Sequence, residues 1–69
     1  ISAGFDSRLG DPLGHFTLTD NEFIELTKIL LDIACEHCEG RLVSMLEGGY
    51  NVEGLASAVK SHLGQLITA

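Results

Sequence analysis

Residues 41–51 read RLVSMLEGGYN, an apolar run that stops at two glycines, a tyrosine and an asparagine. The apolar part does not alternate with polar residues, and this is the pattern of a parallel strand that is covered on both faces. Two adjacent glycines break such a strand, and Asn51 can cap a helix that starts after them. The segment therefore predicts a strand over residues 41–46, a short turn, and then a helix.

The preceding part of the chain has the same order of strand, turn and helix. Residues 1–5, ISAGF, are apolar or small and stop at Asp6, so they predict a first strand. Turn-forming glycines, aspartate and proline follow, and then residues 19–22, TDNE, have the form of a capping box. A helix should therefore begin at Asp20 and end at Gly40.

Both helices carry apolar residues at spacings of three and four. The first helix has a wide arc, which predicts more than one neighbour, and this arc comprises Phe23, Ile24, Leu26, Leu30, Leu31, Ile33, Ala34 and Cys35. The face of the last helix comprises Val52, Leu55, Val59, His62, Leu63 and Leu66. We expect His62 to be a core or interface histidine because it lies on this face.

The predicted elements define the fold class. Two strands joined through a helix should be parallel with a right-handed crossover, so the chain is predicted to be an α/β unit of strand, helix, strand and helix. Two strands cannot bury both faces and both edges, so the unit should require further sheet beside it. Because the chain opens at Ile1, inside the first strand, we expect it to be a piece of a longer polypeptide.

Composition narrows the range of partners and locations. The 69 residues are 45% hydrophobic and 20% charged, which indicates one globular domain at most. A net charge of −6 with only four lysines and arginines argues against direct binding to nucleic acid. No apolar run approaches the roughly 20 residues that span a bilayer, so no membrane association is expected. Cys35 and Cys38 lie in one predicted helix, which favours reduced thiols and a cytoplasmic location.

Reactive side chains stand just beyond both strands, Asp6 after the first and Tyr50 after the second. In open parallel sheets, ligands bind beyond the carboxyl ends of the strands. Asp6 could ligate a metal ion there, or it could cap a helix or form a turn. Tyr50 could donate a hydrogen bond to a developing oxyanion, or it could be a half-buried loop tyrosine. Asp11, in a Gly-Asp-Pro turn, is expected to accept hydrogen bonds from its own backbone.

Three segments resemble one known family: SAGFD at residues 2–6, GDPLG at residues 10–14 and LEGGYN at residues 46–51. Their order and spacing are similar to those of the zinc-dependent histone deacetylases and acetylpolyamine amidohydrolases, and the glutamate before the glycine pair looks like the class II and bacterial members. The resemblance implies a parallel-sheet, three-layer arginase-deacetylase fold, of which residues 1–69 would be a C-terminal part. It also implies a hydrolase that uses zinc to remove acetyl groups from acetyl-lysine or acetylated polyamines.

The same resemblance implies roles for individual residues. Asp6 would be one ligand of an Asp-His-Asp zinc site, and Tyr50 would polarise the acetyl carbonyl. An apolar residue at Leu13 would favour acetyl-lysine-like substrates over polyamines. The substrate channel would have a rim shaped by Pro12 and Leu13 and a wall near the metal formed by Gly48 and Gly49.

Other interpretations remain open at this point. The other zinc ligands and the general-base histidines would lie upstream, so the isolated chain is expected to be inactive and to bind zinc weakly. An alternative function is a non-enzymatic product, derived from a deacetylase piece, that forms a small oligomer or acts as an interaction module. A nucleotide-binding turn at residues 48–51 would lack both the GxGxxG pattern and the Walker lysine. The CEHC sequence at residues 35–38 could suggest zinc, but we expect its sulfurs to be small apolar fillers at a helix end.

Overall fold

The computed structural model describes residues 1–68 and contains two short strands and two long helices. They follow in the order β1 (Ser2–Ala3), α1 (Asp20–His37), β2 (Met45–Leu46) and α2 (Val52–Ile67). The two strands are parallel, and Ser2 pairs with Met45 and Ala3 with Leu46. The predicted α/β order and the parallel pairing are therefore confirmed, at the level of one two-stranded sheet and two helices.

Helix α1 begins at the predicted residue because a complete capping box is present. The Thr19 hydroxyl accepts a hydrogen bond from the Glu22 N–H at 3.4 Å, and the Glu22 carboxylate accepts one from the Thr19 N–H at 3.1 Å. Two of the N–H groups that have no partner inside a helix are satisfied in this way. At the other end, the N–H groups of Cys38 and Gly40 both donate to the Ala34 carbonyl oxygen, which closes the last turn near the predicted stop.

Helix α2 also begins where its cap predicts. Asn51 has an extended backbone, and its side-chain oxygen accepts a hydrogen bond from the Gly54 N–H at 2.9 Å. The last helix therefore starts directly after the Gly-Gly-Tyr-Asn turn. This places Tyr50 between the end of the sheet and the start of α2.

The strands are shorter than predicted, and their apolar residues are more exposed. Backbone hydrogen bonds nevertheless continue past the pairs that define them, from Glu47 N–H to Ala3 and from Phe5 N–H to Gly48. The prediction that residues 41–46 are covered on both faces is wrong for this structure, because the exposed fractions of Val43, Met45 and Leu46 are 72%, 66% and 61%. Within residues 1–68, each strand has one neighbouring strand, and the helices do not cover these side chains.

A small core lies between the sheet and the two helices. Its buried members are Ala3, Phe5, Phe23 and Ala58, and Ile1, Leu18, Leu55 and Val59 pack around them. The Phe5 ring lies 5.2 Å from the Phe23 ring and 5.8 Å from the His62 ring, between centroids. Phe5 therefore joins the first strand to both helices.

The inward faces of the helices are narrower than the predicted arcs. Helix α1 buries Phe23, Thr27 and Ala34, whereas Leu26, Leu30 and Ile33 are exposed. On α2, the prediction is wrong for Val52 and Leu63, which are exposed, and right for His62, which is buried. The buried positions on the two helices include the small residues Ala34 and Ala58, and within residues 1–68 much of each wide apolar arc is partly covered or exposed. No helix of the described residues is both long and apolar enough to cross a membrane.

Candidate functional site

Asp6 lies in a niche formed by glycines at the carboxyl end of the sheet. A Cβ atom placed on Gly48 would lie 3.1 to 3.2 Å from all three carboxyl atoms of Asp6, and one on Gly4 would lie 3.2 Å from its Oδ1. A Cβ atom on Gly14 would overlap the Asp6 carbonyl oxygen. Glycine is therefore required at Gly14, and it keeps space free beside the Asp6 carboxylate at Gly48.

Asp11 organises the turn that the sequence predicts. Its Oδ1 atom accepts hydrogen bonds from the N–H groups of Leu13 at 2.9 Å and Gly14 at 3.0 Å, so the prediction that it bonds its own backbone is confirmed. Its Oδ2 atom accepts a third hydrogen bond, at 2.7 Å, from the N–H of Tyr50. The side chain thereby links the turn after β1 to the turn after β2, a contact that the sequence did not predict.

The charge of Asp11 is stabilised where it is buried. Burial opposes ionisation of Asp11 and by itself would raise its pKa. Backbone N–H groups favour the charged form more strongly, and they belong to Tyr50, Leu13, Gly14 and Asn51. The net effect lowers the pKa of Asp11 below its ordinary value. Asp11 is therefore an ionised hydrogen-bond acceptor at neutral pH. It stabilises the arrangement of the two turns through charge-assisted hydrogen bonds.

Tyr50 is fixed by its backbone and free at its side chain. The exposed fraction of the residue is 52%, and its N–H is held by Asp11. A second hydrogen bond joins the same two turns, from the Asn51 side-chain amide to the Gly10 carbonyl oxygen at 3.1 Å. The phenol is thus carried by a backbone segment with two cross-links to the loop that follows Asp6.

The predicted rim residues lie on the surface of this loop. Pro12 is exposed, and the exposed fraction of Leu13 is 66%. The neighbouring His15 is also exposed. The structure therefore brings Asp6 against Gly48 and joins the Pro12–Leu13 turn to Tyr50 through Asp11, with the apolar Leu13 side chain open to solvent.

The residues present supply one good metal ligand. The Asp6 carboxylate takes part in none of the ion pairs found among residues 1–68, and the glycines leave space next to it. A carboxylate oxygen of this kind is a normal ligand for zinc. The described residues nevertheless hold no group of three or more His, Cys, Asp or Glu side chains that could bind a metal ion. Asp6 therefore fits the role of one ligand in a site that needs others.

The CEHC segment does not behave as the sequence suggested. Cys35 and Cys38 are free thiols, as predicted, but both are exposed. The expectation that they fill apolar space is therefore wrong, because the side chain that is buried at this end of α1 is that of Ala34. The cytoplasmic location inferred from reduced thiols stays a prediction.

His62 is buried, as predicted, and it lies in a polar network that the sequence did not predict. The Thr27 hydroxyl donates to the Phe23 carbonyl oxygen at 2.7 Å, so it accepts from the Nδ1–H of His62 at 2.8 Å. The Nε2 atom of His62 then accepts from the Ser44 hydroxyl at 2.8 Å. Burial, followed by the positive Ile1 amino group, lowers the pKa of His62. The sequence signal for this network was Thr27, a polar residue four positions after Phe23 on the inward face.

The chain thus combines a parallel α/β unit with an aspartate and a tyrosine just beyond its strand ends, which is where open α/β sheets that bind ligands hold them. The sequence model of the histone deacetylase domain matches residues 1–66. The chain belongs to the histone deacetylase family, and the predicted resemblance is confirmed.

Curated relatives agree with this assignment. Type-2 histone deacetylase 1 of Dictyostelium discoideum is 42% identical over 66 residues, which cover 96% of this chain and 4% of that protein. A probable deacetylase of Archaeoglobus fulgidus is 46% identical over 54 residues, 78% of this chain and 15% of that protein. The human polyamine deacetylase HDAC10 is 46% identical over 59 residues, 86% of this chain and 8% of that protein. The chain thus spans a small part of the length of each of these relatives.

Proposed function

We propose that residues 1–69 are the C-terminal part of the catalytic domain of a zinc-dependent deacetylase with the three-layer arginase-deacetylase fold. The reaction is hydrolysis of the amide bond between an acetyl group and a lysine or polyamine nitrogen. The observation that carries this proposal is the free Asp6 carboxylate in its glycine niche, at the end of the sheet that also bears the turn of Tyr50. The family match over residues 1–66 supports it.

In this proposal, Asp6 is one of the ligands that hold zinc, and the others come from residues outside this chain. Zinc with three protein ligands keeps an open position, lowers the pKa of bound water to about 7 and polarises the amide carbonyl. Asp6 suits this role because it directly follows Phe5, whose N–H donates to the Gly48 carbonyl oxygen just beyond the ends of β1 and β2. A ligand supported by a sheet keeps its position better than one on a free loop.

Tyr50 acts as the hydrogen-bond donor to the oxyanion that forms when water attacks the acetyl carbonyl. Its backbone is fixed by Asp11, as a preorganised donor requires, and its exposed phenol is free to meet a substrate. Gly48 and Gly49 form the channel wall and admit substrate close to the backbone. Pro12 and Leu13 shape the rim, and the apolar Leu13 side chain favours acetyl-lysine-like substrates.

A segment exchange tests this function. Residues 1–69 replace the homologous segment of human polyamine deacetylase HDAC10, and the chimera is assayed with an acetyl-lysine peptide and an acetylated polyamine beside the unaltered enzyme. We expect an active chimera. Tyr50→Phe should lower kcat on the order of 10²- to 10³-fold with zinc content unchanged, because one oxyanion donor is lost. Asp6→Ala should lower the zinc content measured by mass spectrometry.

The control is Asp32→Ala, at an exposed position of α1. It should leave both activity and zinc content as they are. A soluble, folded chimera without activity, or an Asp6→Ala chimera with full zinc content, would contradict the proposal.

A second candidate is a non-enzymatic module in which copies of the chain associate with each other. The observation that favours it is the exposed apolar surface along β2, where Val43, Met45 and Leu46 are open to solvent. Surfaces of this kind on a small domain usually mark an interaction site. The two candidates are compatible, because the surface that binds a second copy in the isolated chain would pack against the rest of a complete catalytic domain.

A further inference from the structure

We infer that Asp11 is a positioning residue that holds the Tyr50 backbone and couples it to the rim turn carrying Leu13. This inference rests on the proposed function, since it concerns the oxyanion donor of that reaction. Asp11 would act through Tyr50, without touching substrate or metal.

The first support is the way its two carboxylate oxygens are used. One oxygen binds the N–H groups of Leu13 and Gly14 inside the turn, and the other binds the N–H of Tyr50, 39 residues further along the chain. The exposed fraction of Asp11 is only 9%. A buried carboxylate with three short hydrogen bonds has little freedom, so the two turns move as one unit.

The second support is that, among side chains of this length, only a carboxylate can accept hydrogen bonds from the turn and from Tyr50 at the same time. A carboxylate has two oxygens and accepts at both, whereas asparagine has one oxygen and an NH₂ group that only donates. Asparagine could still form the local turn, because it commonly accepts backbone hydrogen bonds there. It could not also accept from Tyr50, and its NH₂ group would face the Tyr50 N–H.

The third support is the geometry around Tyr50. The Tyr50 side chain is half exposed, so the position of its phenol depends mainly on the backbone of the turn. Asn51 adds one further cross-link to Gly10, but it lies one residue beyond Tyr50. Asp11 is the residue that bonds the Tyr50 peptide group directly, so a shift of the rim turn is transmitted to the phenol.

Asp11→Asn isolates this link because it should preserve the turn and break the bond to Tyr50. The first measurement is amide hydrogen exchange by NMR on the 69-residue chain. In the native chain, the Tyr50, Leu13 and Gly14 amides should all be protected. In Asp11→Asn, protection should be lost at Tyr50 and kept at Leu13 and Gly14. The control Asp32→Asn should change none of them.

The second measurement is a double-mutant cycle in the HDAC10 chimera, which separates a positioning role from a purely structural one. Misplacement of a reacting group by about 1 Å can cost on the order of 10²-fold, so Asp11→Asn should lower kcat by up to that factor with KM nearly unchanged. In a Tyr50→Phe background, the same substitution should have little further effect, because the group that it positions is already lost.

The outcomes separate the two claims. The positioning role is overturned if the Tyr50 amide is unprotected in the native chain. It is also overturned if Asp11→Asn has the same effect on kcat with and without the Tyr50 hydroxyl. In either case, an active chimera still upholds the proposed function. An inactive native chimera overturns the proposed function and the catalytic consequence of the link. The exchange experiment then still decides whether Asp11 holds Tyr50.

Discussion

At the scale of single residues, the site depends on glycines, because a Cβ atom at two positions would collide with Asp6 or crowd it. Gly14 lies so close to the Asp6 carbonyl oxygen that any Cβ atom there would overlap it, and Gly48 borders the carboxylate of the same residue. Two glycines that are distant in sequence therefore determine the surroundings of Asp6: Gly14 admits its backbone, and Gly48 keeps space beside its carboxylate. The GDPLG and LEGGYN segments are needed together because each supplies one of these contacts.

This arrangement predicts that Gly14→Ala destabilises the chain. The backbone at Asp6 cannot yield as a flexible side chain would, so the loop must shift, and overpacking of this kind costs about 1 to 3 kcal/mol. Urea unfolding followed by circular dichroism measures the change.

The matched control is Gly64→Ala, since a Cβ atom on Gly64 would meet nothing within 4 Å. Gly64 lies inside α2, where alanine is favoured over glycine by about 1 kcal/mol, so this variant should be at least as stable as the native chain. Equal effects of the two substitutions would contradict the close approach at Asp6.

At the scale of elements, capping signals predicted the helix starts well, and apolar patterning predicted the buried faces poorly. Thr19 and Asn51 each cap a helix through an N–H group three residues further on, so their local sequence specifies the result. The burial of Val52 or Leu63 depends on what lies opposite, and this information is not local. The hydrogen bond between Asp11 and Tyr50 could not be predicted for the same reason, because it joins two turns 39 residues apart.

The contact between the helices predicts a specific pH dependence. His62 is 6% exposed, bonds Thr27 and Ser44, packs on the Phe5 ring and is near the Ile1 amino group. Its pKa is lowered in the folded chain from about 6.5 in the unfolded chain. As pH falls below about 6.5, His62 takes up a proton in the unfolded chain before it does so in the folded chain. The free energy of unfolding therefore falls.

We therefore expect the urea midpoint to decrease from pH 8 to pH 5. In His62→Gln this decrease should be smaller, whereas His37→Gln, at the exposed end of α1, should retain it. Asp11 and Asp20 also have lowered pKa values, but their contribution is lost only below about pH 3.9, so the two windows are distinct. A midpoint that does not change from pH 8 to pH 5 would contradict the role of His62.

At the scale of the whole molecule, the sheet of residues 1–68 has two strands and two open edges, and the side chains of Met45 and Leu46 are both exposed. The sequence predicted that such a unit needs more sheet beside it, and the exposure of β2 agrees with this expectation. The three-layer fold cannot be predicted in detail from this chain, because its remaining layers would be built from residues outside it.

The exposed strand predicts concentration-dependent self-association of the isolated chain. Light scattering after size exclusion should give a mass above 7.4 kDa that falls on dilution. Leu46→Lys should shift the equilibrium towards the monomer, because it places a charge on the apolar surface. The comparison variant is Ile67→Lys, at a position of α2 that is even more exposed, 83% against 61% for Leu46. A native chain that is monomeric at all concentrations would contradict this second function.

The hydrogen bond between Asp11 and Tyr50 also has a consequence for the order of folding. It closes a loop that contains all of α1 and β2, and the entropy of closing such a loop is lost before the bond can form. Capped helices form from local contacts on faster timescales than long-range pairings. We therefore expect the two turns to join late in folding, after the helices have formed, so that a refolding experiment should recover helix content before the Tyr50 amide becomes protected.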